Sequence, residues 1–216
     1  MAQSSDFDKL MRDIDKQAGR AFWSLIRKES YNIDDYIPTP GIINGYRATC
    51  LGHAASRGDI DLVKLCLARN ANPNLGSIWK EYDGSISCRR HTTVLVAQSN
   101  ENSKEILDLL LQAGATPSQH DKEQILHEAV WPLKLPLVKW CLETNTDPNS
   151  ITYNNGPTPL FLMCDRWDYD RTDEYIEAVI LLLKAGANQN TQCNLSSGVK
   201  NWRDYISALV VSQIEK

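Results

Sequence analysis

Apolar residues recur along the chain in a pattern that is repeated four times. One copy runs from Thr49 to Asn74, and the others begin at Thr92, Gln124 and Thr158. Each copy has an apolar residue two positions after its start, a small residue or methionine three positions further on, and later an unbroken apolar triplet. Apolar residues spaced three and four apart are typical of one face of a helix. We therefore predict that each copy folds as two helices joined by a tight turn.

A residue suited to end a helix follows each triplet at the same distance. Asn70, Gly114, Asn145 and Gly186 all stand three residues past the triplet. Glycine has no Cβ and asparagine has a short polar side chain, so both enter the left-handed backbone region that commonly closes a helix. The second helix of every copy is therefore predicted to end at these positions.

Two cysteines lie inside the triplets. Cys66 and Cys141 stand where the other copies have leucine. Free cysteine behaves as a small apolar residue and is among the most frequently buried residue types. We therefore interpret both as core residues rather than reactive thiols. We expect Trp140, which precedes Cys141 in the same triplet, to be buried as well.

The four copies resemble the ankyrin repeat, whose motif is T-P-L-H-x-A-A…G…(I/L)-V-x-L-L-L-x-x-G-A-(D/N)-x-N. The motif stands here as TCLGHAASRGDIDLVKLCLARNANPN and as TPLFLM…VILLLKAGANQN, and ILHEAV retains Leu-His-x-Ala. The resemblance covers residues 42–190. It implies an all-α, ankyrin-repeat solenoid of helical hairpins with β-hairpin fingers and atypical helical caps. It also implies that Thr and His side chains hold the turn before each first helix, so that His127 makes a structural hydrogen bond.

The spacing of the copies indicates the domain organisation. Successive copies begin 43, 32 and 34 residues apart, and the family period is 33, so the first interval requires an insertion after Asn74. Apolar stripes near both chain ends indicate helices that cover the terminal repeats. The predicted segments are an N-terminal helical cap with a degenerate first repeat (1–41), four repeats (42–74, 75–118 with an enlarged finger, 119–149, and 150–190 with an insertion at 165–173) and a C-terminal capping helix (191–216).

The insertion in the second repeat contains a hairpin signal. Asp83–Gly84 is a preferred two-residue turn between antiparallel strands. Pairing outward from this turn places Glu81 opposite Ile86 and Trp79 opposite Cys88. We predict a β-finger whose face with Trp79, Ile86 and Cys88 lies against the repeats. A disordered insertion is the alternative.

Composition and charge exclude several classes of function. The chain of 216 residues is 42% apolar and 23% charged, and its net charge of −4 argues against non-specific nucleic-acid binding, which requires a basic face. The first thirty residues contain no apolar signal segment, and no apolar run is long enough to span a membrane. Without a signal, the six scattered cysteines indicate reduced thiols. We expect a cytoplasmic protein that is monomeric when unbound and binds neither nucleic acid nor membrane.

The sequence contains no catalytic or cofactor-binding motif that supports an assignment. It has no P-loop, no G-x-G-x-x-G and no G-x-S-x-G, so we expect neither enzymatic activity nor a cofactor. Cys50-x-x-His53 and Cys88-x-x-His91 each resemble half of a zinc site, but Cys50 opens a predicted helix and the halves lie in different local structures. Four aspartates crowd the last insertion without the glycine of a calcium loop, so we interpret them as solvated: Asp165, Asp168, Asp170 and Asp173.

A stack of helical hairpins presents an extended surface, and the resemblance to ankyrin repeats implies protein recognition. We predict a non-catalytic module that binds a protein partner through its fingers and concave face. One alternative is a bacterial effector, delivered into a host cytoplasm, or an inhibitor or accessory protein that regulates a partner enzyme. Another is a metal- or redox-switched module that uses Cys88 and His91.

The resemblance also indicates candidate contact residues, because ankyrin contacts commonly come from residues before the Thr position and from the end of the first helix. We expect Trp131 and Trp167 to anchor the partner, since Trp and Tyr dominate interface hot spots. The alternative is that Pro132 turns Trp131 inward. The candidates in the first half of the chain are basic, and those in the second half are mixed to acidic. This arrangement would steer a partner whose charges follow the opposite order. They are Tyr46, Arg57, Arg89, His91, Asp121, Glu123, Trp131, Asn155, Arg166, Trp167 and Tyr169.

Overall fold

The computed structural model describes residues 32–38, 46–80, 85–99, 101–152, 156–165 and 173–188, together with Arg20 and Ser24. The predicted C-terminal helix, most of the N-terminal cap and most of the last insertion lie outside these residues. The chain divides into two compact units, unit 1 up to Pro117 and unit 2 from Ser118. Among the helices described, none combines the length and the apolar composition that a membrane crossing requires.

Strands and helical pairs alternate along unit 1. Its strands are β1 (Ile37–Pro38), β2 (Tyr46–Ala48), β3 (Gly76–Lys80) and β4 (Ile86–His91). The helices described between β2 and Pro117 form two consecutive pairs, α1 (Cys50–Arg57) with α2 (Ile60–Ala68), and α3 (Thr92–Val96) with α4 (Ser103–Gln112).

Side-chain caps and one left-handed glycine shape the first helical pair. The Thr49 hydroxyl precedes α1 and accepts a hydrogen bond from the Gly52 N–H at 3.0 Å. The Asp59 carboxylate precedes α2 and accepts from the Leu62 N–H at 3.0 Å. Between the helices, Gly58 has a φ of 74°, which reverses the chain through the left-handed region. At each helix start, a neighbouring side chain therefore accepts a hydrogen bond from a backbone N–H of the first turn. The turn between the two helices contains only two residues.

All four residues predicted to end a second helix have a left-handed backbone. The φ angle is 60° at Asn70, 58° at Asn145, 91° at Gly114 and 95° at Gly186. In every copy the amide of the following residue donates to a carbonyl in the last helical turn. This is the hydrogen-bond pattern of a left-handed helix end, so the predicted ends are confirmed.

The described part of unit 2 consists of two helical pairs. They are α5 (Gln119–Val130) with α6 (Leu135–Glu143), and α7 (Pro159–Asp165) with α8 (Asp173–Lys184). His127 on α5 is 8% exposed, and its Nε2 lies 2.7 Å from the Ser150 carbonyl oxygen. Burial lowers the pKa of His127, so a neutral ring protonated on Nε2 donates this bond. The structural hydrogen bond predicted for His127 is confirmed.

The turn between α5 and α6 differs in residue type from the other two. Leu133 has a φ of 56°, whereas Gly58 and Asn102 take the left-handed conformation in the equivalent turns. This conformation is unfavourable for leucine, because Cβ crowds the following carbonyl. Pro132 lies within the turn, and Pro136 lies in the first turn of α6, where a helix does not need the N–H. Neither proline therefore breaks a helix.

Apolar side chains form the core of each unit. Cys66 and Cys141 have no exposed surface and Trp140 is 9% exposed, so all three triplet residues are core as predicted. Burial raises the pKa of both thiols, that of Cys141 to about 12, and neither ionises at neutral pH. The largest fully buried side chains are Leu51, Leu62, Leu95, Ile106, Leu107 and Leu110 in unit 1, and Ile125, Leu126, Leu137, Leu160 and Met163 in unit 2.

The four strands of unit 1 form an antiparallel sheet in the order β1-β2-β3-β4. Trp79 lies opposite Cys88, which is the predicted pairing. Ile86 lies opposite Lys80 rather than Glu81, because an irregularity beside Trp79 and Lys80 gives β4 one extra residue. This shift moves Ile86 to the other face of the sheet from Trp79, where it is 42% exposed. The prediction that Ile86 shares a covered face with Trp79 is therefore wrong.

Candidate protein-binding surfaces

One face of the sheet in unit 1 carries a row of cations. Arg47, Ile78 and Arg89 lie directly opposite one another on β2, β3 and β4, so their side chains share a face. Lys80 belongs to the same face because it lies two residues from Ile78. Ile78 is buried, Arg47 is half-buried, and Arg89 and Lys80 are exposed. The row therefore places an apolar side chain between two guanidinium groups.

Among the described residues, no ion pair neutralises Arg47, Lys80 or Arg89 on this face. The four strands contain four Arg or Lys residues and no Asp or Glu. The loop between β3 and β4 contains Glu81 and Asp83 and lies outside the described residues. Unpaired cations on a surface attract and steer an acidic partner.

The candidates in unit 1 are divided between the sheet and the end of a helix. Tyr46 begins β2 and is half-buried, Arg89 is exposed on β4, and His91 ends β4 half-buried. Arg57 ends α1, about 11 Å along the helix from its first residue. Burial, and then the charge of Arg57, lowers the pKa of His53 to about 3. The sheet therefore places Arg89 and His91 on one face and Tyr46, which lies opposite Trp79, on the other face, and Arg57 lies apart from all three.

Asp121 in unit 2 belongs to a helix cap. Its carboxylate accepts hydrogen bonds from the Ser118 N–H at 2.8 Å and from the Ser118 hydroxyl at 2.6 Å. The Ser118 hydroxyl oxygen in turn accepts from the Asp121 N–H at 3.2 Å, which completes a capping box. Because Asp121 is only 6% exposed, it holds the start of α5 and offers no surface to a partner. Glu123 is half-buried, 3.9 Å from Nδ1 of His120.

Trp131 is the C-cap residue of α5, and 51% of it is exposed. Pro132 therefore does not bury Trp131, and the other part of the alternative, in which the insertion folds over this residue, stays a prediction because most of the insertion lies outside the described residues. Ile151, in the loop that follows the third repeat, is 55% exposed. Unit 2 thus exposes two large apolar side chains in its described part.

The remaining candidates lie outside the residues that the structure describes. They are Asn155, Arg166, Trp167 and Tyr169. An aromatic patch that joins Trp131 to Trp167 therefore stays a prediction.

The two half-sites considered for zinc lie in different elements. Cys50 and His53 face the core from α1, with 0% and 4% of their surface exposed. His91 ends β4, and the side chain of Cys88 is outside the described set. In the part of the chain with described coordinates, no group of three or more His, Cys, Asp or Glu residues could hold a metal ion.

Similarity to known proteins agrees with the helical pairs and their turns. The sequence model of the ankyrin repeat family matches residues 46–77, which include β2, α1 and α2. The crystal structure of EF0377, an ankyrin repeat protein, is similar over 93% of this chain and 96% of its own, with a TM-score of 0.60 and 20% identity. This is the ankyrin-repeat fold. Ankyrin repeats generally mediate protein–protein interaction and are generally non-catalytic.

A second solved structure has the same ankyrin-repeat fold. It is the complex of the predatory endopeptidase Bd0816 from Bdellovibrio bacteriovorus with the immunity protein Bd3460. The similarity covers 93% of this chain and 97% of the matched chain, with a TM-score of 0.55 and 16% identity. None of the curated proteins is significantly similar in sequence. At these identities the structures establish the fold alone.

Of the cations on this face of the sheet, the sequence alone indicates Arg89 as a contact residue, but neither Arg47 nor Lys80. Arg47 and Lys80 come together with it only through the pairing of β2 with β3, and α1 and α2 separate these two strands along the chain. No short turn therefore marks their register in the sequence. The sequence offers only a weak indication that Arg47 and Lys80 belong to the cation row, because each is a single cation in a short apolar stretch.

Proposed function

We propose that this protein is a non-catalytic recognition module that binds a protein partner and uses Trp131 as an anchor. The observation that carries the proposal is the 51% exposure of this indole at the end of a first ankyrin helix. Tryptophan is enriched in interface hot spots because it buries a large area while few rotamers are lost. Ends of first helices are also where ankyrin contacts commonly occur.

The sheet of unit 1 supports the same function. Its unpaired cations and the exposed Ile86 form a mixed basic and apolar surface, which is the kind of surface that attracts an acidic protein. The proposed contact set has Asp121 removed, because its carboxylate holds a helix cap. It comprises Tyr46, Arg57, Arg89, His91, Glu123 and Trp131, with Asn155, Arg166, Trp167 and Tyr169 retained as predictions.

Two narrower alternatives stay predictions. In the first alternative, the partner is an enzyme that this protein regulates. The solved structure that contains Bd0816 is a complex of an endopeptidase with an immunity protein. In the second, Cys88 and His91 switch the module by metal or redox chemistry, and elemental analysis of the purified protein decides it. A cytoplasmic location and a monomeric unbound state also stay predictions.

The test compares the partner affinity of Trp131→Ala with that of Ile151→Ala, a matched change at another exposed apolar residue of the same unit. The partner is identified by cross-linking the full chain in a cell extract, followed by mass spectrometry, and its affinity is then measured by calorimetry. We expect Trp131→Ala to weaken binding by about 2 kcal/mol or more, roughly 30-fold. Ile151→Ala should leave the affinity within about twofold, because isolated exposed apolar residues are common and carry little energy.

Melting temperatures separate binding from packing. A Trp131→Ala protein that melts close to the wild-type temperature but binds weakly supports the anchor. A protein that melts much earlier, while its folded fraction binds normally, would assign Trp131 to packing. Equal affinities of the wild type and both variants would refute Trp131 as an anchor.

A further inference from the structure

The sheet of unit 1 ends at β4, a strand of six residues. Among the strands described, the order is β1-β2-β3-β4, and β3 alone lies beside β4. The chain runs from α4 to α5 through residues 113–118, and none of these is in a strand. No segment among the described residues therefore adds a strand to the outer edge of β4. The second repeat continues into the third without a finger.

The main chain of Arg89 faces this outer edge. The Thr92 N–H donates to the Leu75 carbonyl oxygen at 2.7 Å, which fixes the alternation along the ladder between β3 and β4. Counting from that bond, Arg90 belongs to a hydrogen-bonded pair, while Arg89, opposite Ile78, belongs to a non-hydrogen-bonded pair. Residues of a non-hydrogen-bonded pair turn their N–H and C=O groups away from the partner strand. The N–H and C=O of Arg89 are thus presented to an added strand.

The side chains at this edge favour one kind of strand. Arg89 is exposed without an ion pair in the described chain, and Ile86 lies on the same face, 42% exposed. In a strand added beside β4, the residue opposite Arg89 would have its Cβ roughly 5 Å away. An acidic residue there gains from Arg89, and from the field of Lys80 and Arg47 on the same face. A second copy of β4 would bring like charges together, so the edge disfavours pairing with itself.

We propose that the outer edge of β4 accepts an extended acidic segment of a protein partner as a fifth strand. The segment places Glu or Asp opposite Arg89 and an aliphatic residue next to Ile86. This inference rests on the proposed protein-binding function and specifies its partner. Main-chain hydrogen bonds with Arg89 supply affinity for any extended segment, and the cation row selects an acidic one.

The first test uses two labelled peptides and the full chain. The probe is a threonine-rich decapeptide with Val-Thr-Glu-Thr-Val at its centre, and the matched peptide has Lys in place of Glu. By fluorescence anisotropy at low salt, we expect the Glu peptide to bind about fivefold or more tightly than the Lys peptide. Arg89→Glu should reverse this preference. Lys184→Glu makes the same change in net charge on α8, outside the sheet, and should leave the preference unchanged.

The second test separates main-chain pairing from charge. Arg89→Gln removes the cation but keeps the outward N–H, whereas Arg89→Pro removes both. The ladder with β3 does not use this N–H, and proline is tolerated on edge strands. We expect the Gln variant to bind both peptides weakly, with a smaller preference for the Glu peptide because Lys80 and Arg47 remain, and the Pro variant to bind neither. Circular dichroism and melting temperature establish that each variant is folded. Hydrogen exchange should show new protection of β4 amides when the Glu peptide is added to the wild type.

Several results would overturn the inference. They are the absence of binding by either peptide, equal binding of both to the wild type, unchanged binding by the Pro variant, and protection confined to residues outside β4. Self-association that Arg89→Glu changes would assign the edge to a second copy of the chain and would also overturn it. The proposed function is tested independently, because a partner found by cross-linking can depend on Trp131 without using β4.

Discussion

Replacing Asn149 should destabilise the ankyrin fold through the loss of two hydrogen bonds between neighbouring repeats. Its Nδ2 donates to the Gly186 carbonyl oxygen at 3.0 Å, and its Oδ1 accepts from the Asn188 N–H at 2.7 Å. Each such bond contributes about 0.5–1.5 kcal/mol, so Asn149→Ala should lower the free energy of unfolding by about 1–3 kcal/mol. Asn149→Asp keeps the acceptor but loses the donor and brings a carboxylate to the Gly186 carbonyl. We expect it to cost about 1–2 kcal/mol.

Asn74 provides a matched control at the equivalent position of the first repeat. Its Oδ1 accepts from the Thr116 N–H at 2.8 Å, which is similar to Asn149. Its Nδ2, however, is 3.4 Å from the Gly114 carbonyl oxygen, beyond the usual range of roughly 2.7–3.2 Å for an N–H···O bond. Asn74→Asp therefore loses little and should cost less than about 0.5 kcal/mol. Asn74→Ala loses the strong acceptor and should cost about 1 kcal/mol.

Urea unfolding followed by circular dichroism measures the four variants. Because the chain has two compact units, hydrogen exchange of the Asn188 and Thr116 amides adds a local reading on each contact. The Asn188 amide should lose protection in Asn149→Ala, and the Thr116 amide should lose it in Asn74→Ala. Equal costs for aspartate at the two positions would refute the role assigned to the donor. An Asn149→Ala protein as stable as the wild type would refute the contact altogether.

Three further predictions concern a buried histidine, a left-handed leucine and two glycines. Burial lowers the pKa of His53 from 6.5 to about 3. The unfolded chain therefore binds a proton below pH 6.5 that the folded protein does not bind. The free energy of unfolding should therefore fall by about 1.4 kcal/mol per pH unit as the pH drops from 6 to 4. Urea unfolding at several pH values should show that this dependence on pH is smaller by one proton in His53→Gln. Leu133→Ile should cost about 1–2 kcal/mol in thermal melts, because a β-branched residue is strained in the left-handed region, whereas Leu133→Met should be nearly neutral. Gly76→Ala should disrupt the sheet, because a Cβ there would lie 2.2 Å from the Arg90 carbonyl oxygen. Gly186→Ala meets no atom within 4 Å and should cost only about 1 kcal/mol for its φ of 95°, as melting temperatures will show.

Features that depend on local backbone preference could be predicted from the sequence. Asn70 and Gly114 end their helices because few residue types accept the left-handed conformation, and this preference does not depend on distant contacts. The burial of Cys66 follows from its place in an apolar triplet. In each case the signal lies within a few residues of the feature that it predicts.

Features that depend on pairing between distant segments could not be predicted in the same way. The register of β2 against β3 joins Arg47 to Ile78 across two helices, and the extra residue in β4 shifts Ile86 to the other face. Neither leaves a periodic signal in the sequence. Asp121 is a different case, because Ser118-x-x-Asp121 is a recognisable capping pattern and the alignment of repeats alone assigned it to the surface.

This capping box also changes where the first helix of the third copy begins. In the other three copies the first helix begins at the start of the copy or one residue after it, as at Thr92. In the third copy, α5 begins at Gln119, five residues before Gln124, because Ser118 and Asp121 satisfy a helix start there. Residues 119–123, which precede the start of this copy, are therefore helical, and the described residues after His91 contain no strand. The side chain that the repeat pattern assigned to partner binding thus acts within its own repeat, where it starts a helix five residues early.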